Sequence, residues 1–403
     1  MVDDIPWFFF SPNIIYGPDS LDFLENISGN KCFIISDKVL AGLGDLKILT
    51  DKLDKLGKTY SVFDEVLPDP REEGVLKARK LCMEYEPDLI IALGGGSVMD
   101  TAKTVWCLYE NPDFQLDDIY VFRSDLYDMG KKAKLIAIPT TSGTGAETTF
   151  VTVISRYEDE IWKKYLYIHR GLIPTYAIVD PIFPIDMPPE LTADTGFDAL
   201  AHSIEGIGSL WKNEFSNALA LKAIELIFKY LPIAYKDGKN KKARNYLHQA
   251  ATIAGLAFGN SQVHIGHTLG HSFGSLFHVP HGRSVGIALK YVTQFIINDP
   301  NTDEAVQIYA KLAKQLGWVS WNEDNRKAAK KVIEKIEGLA KEVGFPLSFK
   351  ETGVSKEDFE KNLDTLIDLC YQDASSTLTP RSTSADEFKK LYIHCYNGED
   401  IDF

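Results

Sequence analysis

The pattern of the chain changes at a proline-rich stretch that runs from Pro181 to Pro189. Before this stretch, short apolar runs alternate with segments of helical periodicity, and after it the helical periodicity dominates. The runs Leu89–Leu93 and Leu135–Ile138 are apolar on both faces, which is typical of buried parallel strands. Strands that alternate with helices indicate βαβ units. We therefore predict an α/β domain with a parallel sheet over residues 1–184 and an all-helical domain over residues 185–403.

The same periodicities predict individual elements. Phe150–Ile154 and Leu166–His169 have the composition of two strands that form a hairpin. Helical periodicity covers most of the second half of the chain. It includes Asn240–Phe258 and Lys356–Cys370, and we expect each of these stretches to form one helix.

Composition excludes several classes of partner. The 403 residues carry a formal net charge of −14, which argues against binding to nucleic acid or to anionic lipid. No apolar run is long enough to span a bilayer, and the acidic start Met1–Asp4 lacks the basic region of a signal peptide. The five cysteines are scattered without a CxxC pair, as in proteins of a reducing compartment. We expect a cytoplasmic protein with no nucleic-acid or membrane partner.

Histidines cluster in one short segment. Five of the nine histidines fall between His264 and His281. His264, His267 and His271 are spaced i, i+3, i+7 and share one face if the segment is helical. Pro280 ends such a helix, and a returning chain can direct His281 at the same point. Hydrogen-bonded or solvent-facing histidines are the alternative, but five in so short a run favour a metal site.

A carboxylate for such a site lies upstream. Asp198 and His202 are spaced i, i+4, and Asp194 lies one turn earlier on the same face. One Asp together with three histidines supplies a divalent cation with four protein ligands. A local hydrogen bond on a helix surface is the alternative for Asp198 and His202 taken by themselves.

Two loops have the composition of a nucleotide-binding site. Gly94–Ser97 follows the strand Leu89–Leu93; its glycines allow a ligand to approach the backbone, and we expect Ser97 to cap the next helix. A helix N-terminus favours phosphate, although the spacing is not GxGxxG and a structural tight turn is the alternative. Pro139–Thr149 places hydroxyls and glycines at the end of another strand, where α/β proteins bind ligands. A solvated loop is the alternative there.

Asp37 stands at the end of the first predicted strand. An acid at this position can accept hydrogen bonds from an adenosine ribose and repel a 2′-phosphate, which favours NAD over NADP. An ordinary helix N-cap is the alternative interpretation of Asp37.

Four motifs together resemble the iron-dependent (group III) alcohol dehydrogenase family over essentially the full length of the chain. They are GGGSVMD at 94–100, PTTSGTGAE at 139–147, DTGFDALAHSIEG at 194–206 and HTLGHSFGSLFHVPHG at 267–282. The resemblance implies an N-terminal α/β dinucleotide-binding domain followed by an all-helical, metal-binding C-terminal domain. Two places depart from the family pattern, because Asp69-Pro70 replaces an Asn-Pro and Thr379-Pro380-Arg381 replaces an Asn-Pro-Arg.

The resemblance assigns site residues position by position. The implied metal ligands, which also count among the catalytic residues, are Asp198, His202, His267 and His281. His271 takes the place of a catalytic histidine that does not bind the metal, and Asp194 the place of an acid close to it. The cofactor-binding residues, to which Asp37 is added, are Gly95, Gly96, Ser97, Asp100, Thr140, Thr141, Thr144 and Lys164. His264 and His278 are additional histidines, and we expect them beside the metal site or in the wall of the pocket.

The implied function is a metal-dependent, NAD(P)-linked alcohol dehydrogenase or aldehyde reductase. Hydride passes between the nicotinamide and a small primary alcohol or aldehyde, with the metal as Lewis acid and His271 as proton relay. Fe²⁺ is the expected metal, with Zn²⁺ as the alternative, and the family suggests a homodimer or a larger homo-oligomer.

Three other functions stay open at this point. They are a dehydroquinate-synthase-like cyclase that uses NAD and a metal, a metallohydrolase, and a metal-binding protein without enzymatic activity. The cyclase needs several basic residues around the metal, whereas this region of the sequence offers only Arg283. The other two leave the nucleotide loops unexplained.

Overall fold

The computed structural model describes residues 8–120, 123, 129–158, 161–299 and 301–403. Contacts within the chain divide it into two compact units, Phe9–Asp186 and Met187–Phe403. The domain boundary at residue 184 stays a prediction. Among the described residues, every helix is too short or too polar to cross a membrane.

A six-stranded parallel sheet forms the centre of the first unit. Its strands are β1 Asn13–Tyr16, β2 Lys31–Ile35, β3 Thr59–Phe63, β4 Leu89–Gly94, β5 Lys134–Pro139 and β8 Tyr176–Val179. In space the order is β1-β8-β5-β4-β2-β3, so β4 lies inside the sheet and is buried along its whole length. The predicted parallel sheet is confirmed.

Helices cover both faces of this sheet because the side chains of each strand point alternately to either side. The helices of this unit are α1 Lys38–Leu43, α2 Asp45–Lys55, α3 Glu72–Tyr85 and α4 Gly96–Glu110. On β2, Phe33 and Ile35 belong to the core shared with α3 and α4, whereas Cys32 and Ile34 belong to the core shared with α2. The result is a three-layer arrangement of helices, sheet and helices.

A separate antiparallel hairpin follows the sheet strand β5. Its strands are β6 Val151–Glu158 and β7 Ile161–Ile168, which confirms the predicted hairpin. The buried ammonium group of Lys103, on α4, donates to Thr149 Oγ1 at 2.9 Å and to the carbonyl of Val151 at 3.2 Å. These bonds tie the base of the hairpin to α4.

The described elements of the second unit are helices, which confirms the all-helical prediction. They are α5 Pro189–Gly208, α6 Glu214–Lys236, α7 Lys241–Gly259, α8 Ile265–Phe277, α9 His281–Ile297, α10 Glu304–Gln315, α11 Asn325–Glu342, α12 Lys356–Lys361, α13 Leu363–Gln372 and α14 Ala385–Asn397, with short 3₁₀ turns between some of them. The helix α5 is buried along nearly its whole length and packs against α6, α7 and α9. It is therefore the central element of this unit.

The prediction of one helix over Lys356–Cys370 is wrong. The segment forms two helices, α12 and α13, which meet at Asn362. The side-chain amide of Asn362 donates to the carbonyl of Asp358 at 2.8 Å. Asparagine competes in this way with the backbone for helical carbonyls, so α12 ends here although the apolar periodicity continues.

Glycines allow α5, α8 and α9 to approach one another closely. A Cβ atom at Gly270 of α8 would lie 2.7 Å from the Cα atom of Val285 on α9. A Cβ atom at Gly282 of α9 would lie 2.5 Å from the carbonyl oxygen of Asp194 on α5. Backbone atoms cannot move aside as a flexible side chain can, so these crossings require glycine. They bring together the three helices that carry the predicted metal ligands.

Candidate metal centre and cofactor loops

Asp198 and His202 lie one turn apart on the central helix α5. Both are buried, with 1% and 4% of their surface exposed. The Nε2 atom of His202 is 3.8 Å from Asp198 Oδ1, and its ring stacks on Phe258 with 4.0 Å between the centroids. The spacing of four residues therefore places both side chains on one face, as predicted.

The other two predicted ligands come from α8 and α9. His267 lies in the first turn of α8, and His281 is the first residue of α9 after the bend at Pro280. Their Nε2 atoms are 4.0 Å and 3.3 Å from Asp198 Oδ1. One donor atom from each of the four residues, Asp198 included, lies within 4.8 Å of all the others. The structure thus brings together the four side chains that the resemblance assigned to the metal.

The arrangement of these donor atoms suits a bound cation better than it suits hydrogen bonds among the four side chains. Among the described residues, Asp198 Oδ1 and His267 Nε2 are buried and have no hydrogen bond of acceptable geometry. Leaving such atoms unpaired is energetically unfavourable, and proteins rarely do so without an ion, a water molecule or a ligand to compensate. Three imidazoles and one carboxylate are also a donor set that divalent transition metals accept.

Burial sets the protonation of this cluster. It lowers the pKa of His202 to about 3, and it lowers the pKa of His267 well below its usual value with help from the neighbouring histidines. Burial alone would raise the pKa of Asp198, but the adjacent imidazoles of His202 and His281 outweigh it and lower that pKa. Neutral imidazoles beside an ionised carboxylate are the protonation states that metal binding requires.

Glu205 contacts the Nδ1 side of the His267 ring, and the sequence analysis did not identify this residue. Nδ1 of His267 is 2.8 Å from Glu205 Oε1, while Oε2 accepts backbone N–H groups of His264 and His267 at 2.9 Å and 3.2 Å. A bond through Nδ1 leaves Nε2 facing Asp198, as in many carboxylate–histidine–metal arrangements. The available signal was spacing, because Glu205 lies seven residues after Asp198 and so near the same face of α5.

His264 and His278 lie outside the set of four donors. His264 precedes α8 as its N-cap residue with a non-helical backbone, so the expected common face of His264, His267 and His271 holds only for the last two. Its buried ring has Nδ1 3.2 Å from Glu205 Oε2. His278 is exposed and adopts a left-handed conformation at the end of α8.

His271 lies beside the four donors without joining them. Its ring centroid is 5.6 Å from that of His267 and 5.2 Å from that of His281. Its Nδ1 atom is 2.7 Å from Asp373 Oδ2, a contact that the sequence analysis missed.

Asp194 is also outside the donor set. Its Oδ1 accepts from Arg283 Nε at 3.0 Å, and this bond joins α5 to the first turn of α9.

The two predicted cofactor loops pack against each other. The backbone N–H of Thr140 donates to the carbonyl of Gly94 at 3.1 Å. A Cβ atom at Gly95 would lie 3.3 Å from Thr141 Oγ1, and one at Gly96 would lie 3.1 Å from Thr144 Cγ2. The glycines therefore allow the threonine loop to rest on the start of α4.

Ser97 is not the predicted helix cap. The helix α4 begins at Gly96 with Gly95 as its N-cap residue, so Ser97 already lies within the first turn. Its hydroxyl donates to the carbonyl of Pro68 at 2.6 Å. The glycine backbone adopts the cap conformation, which leaves the serine side chain for a longer-range contact.

Three further predicted cofactor residues have structural partners. Asp37 is the N-cap of α1, and its Oδ1 accepts from the N–H groups of Val39 and Leu40, both at 2.9 Å. Asp100 accepts from the N–H of Val153 on the hairpin at 3.1 Å. Lys164 Nζ lies 3.6 Å from Asp69 Oδ1. The N-cap interpretation of Asp37 is thus observed, and the contacts of these three residues with a nucleotide stay predictions.

Comparison with known families shows to which family this chain belongs. Residues 11–181 match the family described as iron-containing alcohol dehydrogenase, and residues 192–396 match the C-terminal part of the Fe-containing alcohol dehydrogenase family. The chain belongs to the iron-containing alcohol dehydrogenase family. It is accordingly an oxidoreductase of the NAD(P)-linked alcohol and aldehyde class, and the cyclase, metallohydrolase and non-enzymatic alternatives are set aside.

Relatives and solved structures agree with this membership. The NADPH-dependent butanol dehydrogenase of Clostridium saccharobutylicum is 35% identical over 97% of this chain and 98% of its own length. The bifunctional aldehyde-alcohol dehydrogenase AdhE of Escherichia coli is 36% identical over 95% of this chain, which spans only 45% of that protein. The structure of an iron-containing alcohol dehydrogenase from Thermococcus thioreducens matches with a TM-score of 0.86 and 30% identity, over 98% of this chain and all of the other.

One buried residue of the first unit, Lys103, was not identified from the sequence. Lys103, 1% exposed, lies on α4 close to Asp100 and Glu147. Burial lowers the pKa of Lys103 to about 8, against the opposing effect of the two carboxylates. A lysine within an apolar stretch of helix has no sequence signal that distinguishes it from a surface lysine, so only the tertiary structure reveals its burial.

Proposed function

We propose that this chain interconverts a small primary alcohol and its aldehyde by hydride transfer to and from a nicotinamide, with a divalent cation held by Asp198, His202, His267 and His281. The observation that carries the proposal is the convergence of these four donors, of which Asp198, His202 and His267 are buried and His281 is exposed, within 4.8 Å of one another. The names of the relatives support the substrate class, since they include a butanol dehydrogenase and a 1-propanol dehydrogenase.

The residues of the site have two roles, which are to hold the cation and to transfer a proton. When bound, a divalent cation supplies Lewis-acid chemistry to the substrate oxygen. The buried imidazoles of His202 and His267 are neutral because burial lowers the pKa of each ring, so no proton competes with the cation for them, and Glu205 orients His267. His271 lies next to the donors and is partly exposed, with 26% of its side-chain surface accessible, so it can pass a proton between the substrate and water.

For the nucleotide, we propose that the start of α4 and the adjoining threonine loop bind the pyrophosphate and the nicotinamide ribose. The residues involved are Gly95, Gly96, Ser97, Asp100, Thr140, Thr141, Thr144 and Lys164. A helix N-terminus attracts phosphate through its free N–H groups. We favour NAD over NADP because Asp37 lies at the end of β2, where its charge repels a 2′-phosphate. Relatives support either choice: one is NADPH-dependent, and a sulfoacetaldehyde reductase with 26% identity was solved with NAD⁺.

We propose Fe²⁺ as the working metal. The family name and the set of three nitrogens and one oxygen support it. Zinc binds such sites more tightly by the Irving–Williams order, so a preparation made in air can hold zinc instead.

We also propose a homodimer or larger assembly on the basis of the family resemblance. We propose a cytoplasmic location as well, supported by the five cysteines, which are buried and form no disulfide.

The test is NADH and NADPH oxidation with a panel of short aldehydes, after anaerobic reconstitution with Fe²⁺ or Zn²⁺. We expect iron-dependent turnover that falls by at least about a hundredfold in His281→Ala, because one of four ligands is lost. His278→Ala is the matched control, as this exposed histidine lies three residues away and outside the donor set. Equal activity of the His281→Ala and wild-type enzymes would contradict the ligand assignment, and absence of nucleotide binding would contradict the reaction.

A further inference from the structure

Two histidines on α8 are held in the same manner by carboxylates from distant parts of the chain. His267 bonds Glu205 of α5 through Nδ1, and one turn later His271 bonds Asp373 through Nδ1. The first arrangement leaves Nε2 of a predicted metal ligand facing Asp198. The second concerns a histidine that is not one of the four donors.

Asp373 is fixed in place independently of the histidine that it contacts. It follows the last residue of α13 and precedes the 3₁₀ turn Ala374–Leu378, of which it is the N-cap residue. Its Oδ1 accepts from the backbone N–H of Ser375 at 2.8 Å, which leaves Oδ2 for His271 at 2.7 Å. With 8% of its side chain exposed, the carboxylate is shielded from water. A short bond between two positioned groups holds the imidazole plane firmly.

The bond selects one form of the neutral ring. An ionised carboxylate only accepts hydrogen bonds, so Nδ1 of His271 carries the proton. The lone pair of the neutral imidazole is then on Nε2, on the side of the ring away from Asp373. A group that takes a proton from an alcohol, or returns it to an aldehyde oxygen, needs that lone pair on the atom that faces the reaction.

We propose that Asp373 is a positioning residue that holds His271 in its Nδ1–H form and so keeps Nε2 available for proton transfer. This inference rests on the proposed function for its catalytic consequence, while the selection of the ring form is a property of the protein alone. The step is a proton transfer between the alcohol hydroxyl and Nε2 of His271, and it leaves Asp373 ionised throughout.

The kinetic test compares Asp373→Asn and Asp373→Ser with the wild-type iron enzyme, with NADH and butanal as substrates. Both variants retain an acceptor for the Ser375 N–H, so the local turn persists. Asparagine can offer an N–H to the ring and favour the wrong form, and serine is too short to reach it. We expect kcat to fall about 10–100-fold with metal content, KM and NADH affinity unchanged. Asp368→Asn, at an exposed acid on the preceding helix α13, is the control and keeps full activity.

A double variant separates positioning from a general structural effect. In the His271→Gln background, Asp373→Asn should cause no further loss of kcat, because both changes remove the same function. Independent, additive losses would overturn the proposal. So would unchanged kcat in both Asp373 variants.

A spectroscopic readout does not depend on turnover. In the metal-free protein with ¹⁵N-labelled histidine, at mildly alkaline pH, the signals that vanish in His271→Gln belong to His271. We expect these signals to show protonated Nδ1 and bare Nε2 in the wild type, and the reverse population to appear in Asp373→Ser. Protonated Nε2 in the wild type would overturn the proposal even if the enzyme is active. A wild type that shows the expected ring form but reduces no aldehyde would instead contradict the proposed function.

Discussion

At the scale of single residues, buried charges decide which groups of the metal centre keep their orientation. Glu205 has none of its surface exposed, and it accepts from the ring of His267 and from two backbone N–H groups. These bonds hold one predicted ligand before any cation arrives. Such outer partners of metal-binding histidines commonly contribute tenfold to hundredfold to metal affinity.

We predict that Glu205→Gln weakens Fe²⁺ or Zn²⁺ binding by about 10–100-fold, because the amide holds His267 less firmly. Competition with a chromophoric chelator measures the change. Glu190→Gln on the same helix is the control, since its side chain is 87% exposed. Equal affinities of the Glu205→Gln and wild-type proteins would show that His267 is held by packing alone.

Lys103 makes stability depend on pH in the alkaline range. Its folded pKa of about 8 is below the value of roughly 10.4 for an unfolded lysine, so the unfolded chain binds more protons between these values. The free energy of unfolding therefore rises with pH across this window, and the contribution of Lys103 is least favourable below pH 8.

We predict that the stability of the wild type relative to Lys103→Met increases between about pH 8 and pH 10, by an amount on the order of 2 kcal/mol. Urea unfolding at a series of pH values measures it. Lys80→Met on α3 is the control, because that side chain is 78% exposed and its variant should track the wild type. Parallel curves for Lys103→Met and the wild type would mean that the ammonium group is solvated.

At the scale of helices, the metal centre depends on how closely α9 approaches α5. The first turn of α9 carries His281 and Gly282, and the backbone of Asp194 fills the space that a side chain at 282 would need. The bond from Arg283 to Asp194 strengthens the same crossing. Backbone packing at Gly282 thus helps to place His281, in addition to the contact of its own side chain with Asp198.

We predict that Gly282→Ala lowers both the melting temperature and the metal affinity, because the methyl group forces α9 away from α5. Gly338→Ala on α11 is the matched control, since no atom lies within 4 Å of its Cβ position. That change should stabilise the protein by about 0.5–1 kcal/mol through the helix preference of alanine. Calorimetry and metal titration distinguish the two variants, and identical behaviour would contradict this account of the crossing.

At the scale of the whole molecule, all four predicted ligands lie in the unit Met187–Phe403, on helices α5, α8 and α9. A bound cation therefore links three elements of one core. Any ligand that binds only the folded state stabilises it by mass action, by about 2.7 kcal/mol at a concentration one hundred times Kd.

We predict that removing the metal with a chelator loosens α5, α8 and α9, which hydrogen-exchange mass spectrometry measures as faster exchange in their peptides. Peptides from the buried strand β4 serve as the internal control, because that strand belongs to the other unit. Unchanged exchange in α5 after complete removal of the metal would show that the helical core needs no cation.

The sequence by itself determined the parallel sheet, the hairpin, the helical second half and the family. These depend on local periodicity and on residue types at fixed spacing, which a single chain displays directly. The family resemblance of its motifs also supplied Asp198, His202, His267 and His281 as candidates, whereas helix spacing alone related only Asp198 to His202 and grouped the histidines at 264, 267 and 271. The sequence did not reveal the side-chain bond that ends α12 at Asn362, or the start of α4 one residue before Ser97.

Only the tertiary structure decided that the four donors converge, and that Glu205 and Asp373 hold two of the histidines. His271 and Asp373 are 102 residues apart in the chain, so no local rule relates them. The same holds for Lys103, whose low pKa comes from elements packed around it. Charge, burial and hydrogen bonding between distant segments depend on how helices pack, and this packing exists only in the folded chain.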